Sequence, residues 1–259
     1  MVGLGLSFAV LGIGLLLPLR GGCSQGGRAG PDSGKAATAV APQLLAQNTQ
    51  AAAPATGVAS GQKTQLGARS GSTMRIEGTS SLHDWQMESH LIGGMLEVGP
   101  NFPLEPGKTV EPANVEVSGQ AYVTVTSFKS IEKDGTKYSD KMDEIMYEHL
   151  DYTNHPKIIF KITDLVLKEA PKDNASPYVF DSKGELALAG VTNKVSFPVN
   201  ITPLGDKKFK ITGSFPTKMS DFKVKPESIG LGIVKTGDDV KLIWTWIIAV
   251  NPPKPAPPK

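Results

Sequence analysis

The chain has 259 residues, with 27 Lys and Arg against 25 Asp and Glu, and the two signs are interspersed along it for a net charge of +2. No basic stripe interleaved with aromatic residues occurs, which excludes an electrostatic footprint for nucleic acid. Cys23 is the only cysteine, so no intramolecular disulfide staples the chain.

In chain order, the first feature is an uncharged apolar run, Val2 to Leu19, closed by Arg20. It has the length of a signal-peptide core and is just long enough to cross a bilayer. Residues 1–22 are therefore expected to be a signal peptide or an N-terminal membrane anchor, although only Met1 precedes the run and the usual positive leader is missing. Leu19-Arg20-Gly21-Gly22-Cys23 resembles a bacterial lipoprotein cleavage site, which makes Cys23 a candidate lipid attachment. Arg20 departs from that pattern, which carries an apolar residue three places before the cysteine. Ordinary cleavage, or an uncleaved anchor with Cys23 incidental, are the alternatives. Each version predicts an exported protein, periplasmic or in the cell envelope, and membrane-tethered where the anchor or the lipid is kept.

Residues 23–72 are rich in Gly, Ala, Ser, Gln, Thr and Pro. They carry too few large apolar side chains to offset the entropy of ordering, and read as a disordered tether. Residues 251–259, rich in Pro and Lys, read as a disordered tail. The globular part is then 73–250, a size suited to one domain.

Within it, period-two alternation recurs, the mark of a half-buried strand. Met74 to Gly78 is a first short strand, and Gln86 to Val98 a longer one broken by a bulge or bend at Gly93-Gly94. Val115 to Thr126 and Lys157 to Leu167 follow, the latter placing Ile158, Phe160 and Ile162 on one side. Between those two the period changes. In Ser139 to Leu150 the apolar positions Met142, Ile145, Met146 and Leu150 trace one stripe of a helix. Ser139 is its N-cap, and Asp140, Asp143 and Glu144 suit the positive end of the dipole. The plainest element is the hairpin from Gly184 to Ile201. Leu186 and Leu188 share a face on its first arm, and Val195, Phe197, Val199 and Ile201 on its second. Lys208 to Phe215 is a further strand. The last, Asp239 to Ala249, aligns Val240, Leu242, Trp244, Trp246 and Ile248. About eight strands, hairpin connections and one short amphipathic helix predict an all-β fold, an antiparallel up-and-down barrel with the helix over an open end. A sandwich is the alternative.

Several segments together resemble the YceI-like family of lipid or polyisoprenoid-binding proteins. They are Gly78-Thr79-Ser80-Ser81-Leu82-His83-Asp84-Trp85, the Met142 to Leu150 helix, Asn154-His155-Pro156-Lys157-Ile158-Ile159-Phe160 and Gly184 to Thr192. Gly213-Ser214-Phe215, Ser220-Asp221-Phe222 and Gly237-Asp238-Asp239-Val240 complete the order. The resemblance implies an eight-stranded, lipocalin-like barrel whose lumen holds a long isoprenoid chain, in proteins commonly exported to the periplasm. It brings no established catalytic residues. The long tether, the candidate lipid anchor and the tryptophan-rich last strand depart from compact members.

The residues expected to line the lumen are Phe160, Ile162, Leu186, Leu188, Val195, Phe197, Val199, Leu242, Trp244 and Trp246. The same side chains could equally form a solid core. The function predicted is sequestration or transport of a long apolar ligand, of polyisoprenoid or quinone type, without chemistry. The alternative is a surface-tethered structural or stress-protection module with a packed core. A void of several hundred cubic ångströms separates the two. His83-Asp84, His90, His149 and His155 show no metal-ligand spacing, and the sole cysteine lies outside the domain, so neither an enzyme, a metal nor a cofactor is expected.

Overall fold

The structure, a computed structural model, describes residues 63–111, 113–229 and 233–252. The predicted signal or anchor segment, Cys23, most of the tether and tail residues 253–259 lie outside the described residues. The elements in chain order are β1 (Thr64–Ala68), β2 (Thr73–Ser80), β3 (Trp85–Ser89), β4 (Gly93–Val98), β5 (Asn114–Val115), β6 (Val117–Thr124), β7 (Lys129–Ile131) and α1 (Asp140–His149). Then come β8 (Lys157–Glu169), β9 (Tyr178–Leu188), β10 (Val191–Pro203), β11 (Lys208–Lys218), β12 (Ser228–Ile229) and β13 (Val234–Val250). Among the described residues no helix is long and apolar enough to cross a membrane.

The strands form an antiparallel barrel closed by eight of them, in the order β1-β4-β6-β8-β9-β10-β11-β13, with β13 pairing back to β1. The first three walls are each broken in the middle. β1 and β2 lie end to end along one edge of β13, with Leu66 opposite Val250 and Thr73 opposite Thr245. Where the backbone ladder lapses between them, the Ser72 hydroxyl accepts the Ile247 N–H at 3.0 Å. β3 pairs β2 while β4 pairs β1, and β7 pairs β3 while β6 pairs β4. The predicted meander is therefore the observed one.

Three details differ from the sequence reading. The barrel begins before residue 73, because Thr64–Ala68, expected within the tether, is a strand paired on both edges. An ordered ladder on each side supplies what this polar segment cannot provide by burial. Gly93-Gly94 opens β4, and the break in that wall falls before it, between Ser89 and Gly93. In β8 a register shift between Ile162 and Asp164 changes the parity, so that Ile162 and then Leu165 face inward. One extra residue in a strand is enough to flip every later side chain.

The lower end of the barrel is solid. Phe102, from the β4–β5 connection, meets Phe209 edge to face with ring centroids 5.4 Å apart, and both are fully buried. Tyr178 and Phe180 stack beside them, and the buried Tyr178 hydroxyl donates to Lys108 O at 2.8 Å.

At the upper end β7 pairs with β3 but not with β8, and α1 packs there. Ser139 caps the helix as predicted, its hydroxyl accepting the Met142 N–H. Asp143 does more than meet the dipole. It is buried, and its Oδ1 accepts the N–H of Ser130 in β7 at 2.6 Å. The Lys129 ammonium stands 3.3 Å from its Oδ2, an ion pair without hydrogen-bond alignment. Tyr147, one turn on, accepts from Lys129 at 2.9 Å and donates to Phe128 O at 2.6 Å. That hydroxyl, with Asp143 behind it, holds the Lys129 ammonium above its ordinary pKa.

Candidate functional site

Between the solid base and the helix the barrel encloses two cavities. The lower, of about 120 Å³, is lined among the sequence candidates by Phe160, Ile162, Leu186, Phe197, Val199, Leu242, Trp244 and Trp246. Inward parity on β8, β9, β10 and β13 brings these together from distant parts of the chain. Phe197 is their hub, with its ring centroid 4.9 Å from those of both Phe160 and Trp244 and 5.5 Å from that of Phe215. No charged side chain lines this cavity.

The other two candidates lie elsewhere. Leu188 lines the upper cavity, because it ends β9 at the helix side of the barrel. Val195 faces inward by parity but lines neither cavity. It is half-buried and packs against the core where the hairpin emerges. Sequence reasoning missed Met74, Ile92, Leu96, Ile201 and Ser182 on the lower wall. Met74 and Ile201 sit at inward parity on strands that were recognised, and that parity was the signal for them. Ile92 sits in the break between β3 and β4, where no periodicity operates.

The upper cavity, of about 110 Å³, lies under α1, and the predicted stripe Met142, Ile145, Met146 and Leu150 faces it. Leu242 belongs to both cavities and forms the partition. The rim here carries charge: His149, Lys218, Lys225 and Glu227 line it, and His149 Nε2 is paired with Glu227 Oε2. Neither cavity alone reaches the several hundred cubic ångströms set out above as the mark of a carrier. The aromatic hub and Leu242 take up the remaining space.

A missing side chain shapes the lower cavity. Gly213 faces Trp244 across the β11–β13 ladder, and a Cβ there would lie 2.4 Å from the indole Cζ2. Absence of that carbon lets the ring lie back on the wall. Gly213→Ala should push Trp244 into the lumen and destabilise the fold by about 1–2 kcal/mol through overpacking. Thermal unfolding checks the effect; an unchanged midpoint would show that the ring has room to move.

The histidines do not converge. His83 Nδ1 is 2.7 Å from Asp84 O in the β2–β3 loop, His90 Nε2 is 3.3 Å from Glu88, and His155 Nε2 is 3.7 Å from Asp151. Among the described residues no cluster of three or more His, Cys, Asp or Glu could hold a metal ion.

Residues 62–245 match the YceI-like domain family. Solved structures with a similar fold include a polyisoprenoid binding domain from Saccharophagus degradans implicated in plant cell wall breakdown. It is 10% identical, with a TM-score of 0.51 over 73% of this chain and 100% of that one. Burkholderia cenocepacia BcnA is 18% identical with a TM-score of 0.47, over 68% of this chain and 95% of that one. A mutant Campylobacter jejuni YCEI protein is 15% identical with a TM-score of 0.44, over 64% and 84% respectively. No curated protein matches this chain. With the match spanning the whole barrel from β1 into β13, the chain belongs to the YceI-like domain family.

Proposed function

We propose that this protein is an exported carrier that sequesters a long apolar ligand, of polyisoprenoid or quinone type, in the barrel lumen without chemical conversion. The observation that carries the reading is the uncharged, largely apolar lower cavity, continued past Leu242 by a second cavity under a helix. Moving an isoprenoid chain from water to such a wall is favourable by roughly 25 cal/mol per Å² buried. Family membership and the fold shared with a polyisoprenoid binding domain support the same reading. To hold a full-length chain, Leu242 must turn aside and join the cavities, and α1 must lift to admit it. Export rests on the apolar run Val2 to Leu19, and membrane tethering on that run or on lipid at Cys23.

A second reading, a tethered structural or stress-protection module with a packed core, is favoured by the aromatic hub around Phe197 and the modest size of each cavity. Native mass spectrometry separates the two. A carrier purified from its own membrane extract is expected to show an added lipid mass, or to acquire one from quinones or polyprenols. Protein recovered empty that takes up neither would sink the carrier reading.

A further inference from the structure

Single apolar side chains on a surface need no explanation, but a cluster of them does. Among the described residues seven large apolar side chains are exposed, and Leu82, Tyr138, Tyr152 and Ile233 of these stand at the upper end of the barrel. Leu91 and Met95 lie on the flank, and Leu204 alone at the base. Leu82 and Ile233, at 71% and 82%, are the two most exposed. Their loops are stitched side by side: the Ser81 N–H donates to Lys235 O at 2.8 Å, and the Ser81 hydroxyl to Ile233 O at 3.4 Å. His83 carries the ridge on to Tyr138, with ring centroids 5.8 Å apart. The turn itself does not need a leucine, because Ser80 Oγ closes it by accepting the N–H groups of Leu82 and His83, each at 3.2 Å.

This ridge grows from the walls of the upper cavity. Trp85 and Thr236 line that cavity, and they pair across the ladders with Gly78 and Ser80, at the root of the Leu82 turn. A long apolar chain is strongly disfavoured in water, so a carrier must take it from a lipid phase at the end where it enters. The charges flanking Tyr138 are paired off within the rim, Lys137 with Asp140 and Lys141 with Glu144, and what this face offers a partner is apolar. Chain length permits the contact. With the run Val2 to Leu19 in a bilayer, residues 20–63 span up to about 150 Å when extended. The seventeen residues of β13 span about 55 Å. Either end of the barrel is then within reach of the same bilayer, and the exposed apolar side chains select the upper one. We propose that the upper end is a membrane-docking face, on which Leu82 and Ile233 insert into the acyl boundary of a bilayer while Tyr138 and Tyr152 lie at head-group level. The ligand then passes between bilayer and lumen without crossing water. This assignment rests on the carrier reading and adds to it the surface through which the ligand is loaded.

Full-length protein is mixed with phosphatidylcholine vesicles and followed by hydrogen exchange. Amides of residues 80–84 and 233–236 are expected to gain protection, while those of residues 204–207 at the base do not. Equal protection at both ends, or none at the upper end, would overturn the docking face. Protection that appears without vesicles and grows with protein concentration would assign the ridge to a second copy of the chain and overturn it as well. Loading from vesicles that carry a prenylated benzoquinone is then compared between the Leu82→Ser, Ile233→Ser double variant and Leu204→Ser. All three positions are exposed and line neither cavity. Loss of the two inserted side chains is expected to slow uptake from vesicles at least about tenfold, with uptake from detergent micelles unchanged. Leu204→Ser should load within about twofold of the wild-type rate. Equal loading by the two variants would overturn the docking face while leaving the carrier reading in place. Upper-end protection in a protein that takes up no quinone from either source sinks the carrier reading and the loading role with it, while the docking contact stands.

Discussion

Phe197→Ala is expected to destabilise the folded chain by about 3–5 kcal/mol, the range for truncating a buried aromatic side chain. Phe197 touches the rings of Phe160, Phe215 and Trp244, so its removal leaves three aromatic side chains without their common neighbour. Because the site already borders a cavity, the wall has little left with which to refill the space, and the lumen enlarges. The two functional readings part at this variant. In a carrier, a long-chain ligand fills the new space, and bound ligand raises stability by about 2.7 kcal/mol at a hundredfold excess over Kd. In a packed module the loss stands whatever lipid is added. Denaturant unfolding of stripped protein, with and without a polyprenol or quinone, is the measurement. A ligand increment absent from both the variant and the wild type would refute the carrier.

The barrel was legible in the sequence wherever one face of a strand is buried, because backbone geometry then forces alternation. The hairpin of β9 and β10 and the last strand β13 are read correctly for that reason: Leu186, Phe197, Leu242 and Trp246 are all buried and inward. The α1 stripe was legible by the same logic at a different period. What escaped depends on partners far along the chain. Thr64–Ala68 offers one large apolar residue, Leu66, and is a strand because β4 and β13 both pair with it. Phe102 lies among Pro100, Pro103 and Pro106, a stretch that reads as turn, yet it plugs the base of the barrel. Asp143 looked like an ordinary first-turn acid until Ser130, thirteen residues upstream, was seen to donate to it. The size of the lumen escaped altogether. Alternation tells which side chains face inward, whereas the space left among them follows from barrel tilt and stagger and from the rotamers of a few large rings.

Asp143→Ala should lower stability by about 3 kcal/mol and loosen the upper end of the barrel selectively. The substitution removes the acceptor of the Ser130 N–H, a group buried with its residue, and a buried donor left unpaired costs about 1–3 kcal/mol. It also deletes the charge facing Lys129, which keeps its bond to the Tyr147 hydroxyl and remains half-exposed, so that part of the loss is small. At roughly 2–4 °C per kcal/mol for a domain of this size, the midpoint of thermal unfolding falls by about 6–12 °C. Asp143→Asn is the informative companion. An amide oxygen can still accept from Ser130, so most of the stability should return although the charge does not. Hydrogen exchange locates the effect: in Asp143→Ala, amides of α1 and β7 should lose protection while those of β9 and β10 keep theirs. If α1 covers the path into the lumen, the alanine variant also exchanges bound lipid faster than the asparagine variant. Equal exchange rates in the two, with α1 protection lost in only one, would place the path into the barrel somewhere other than under this helix.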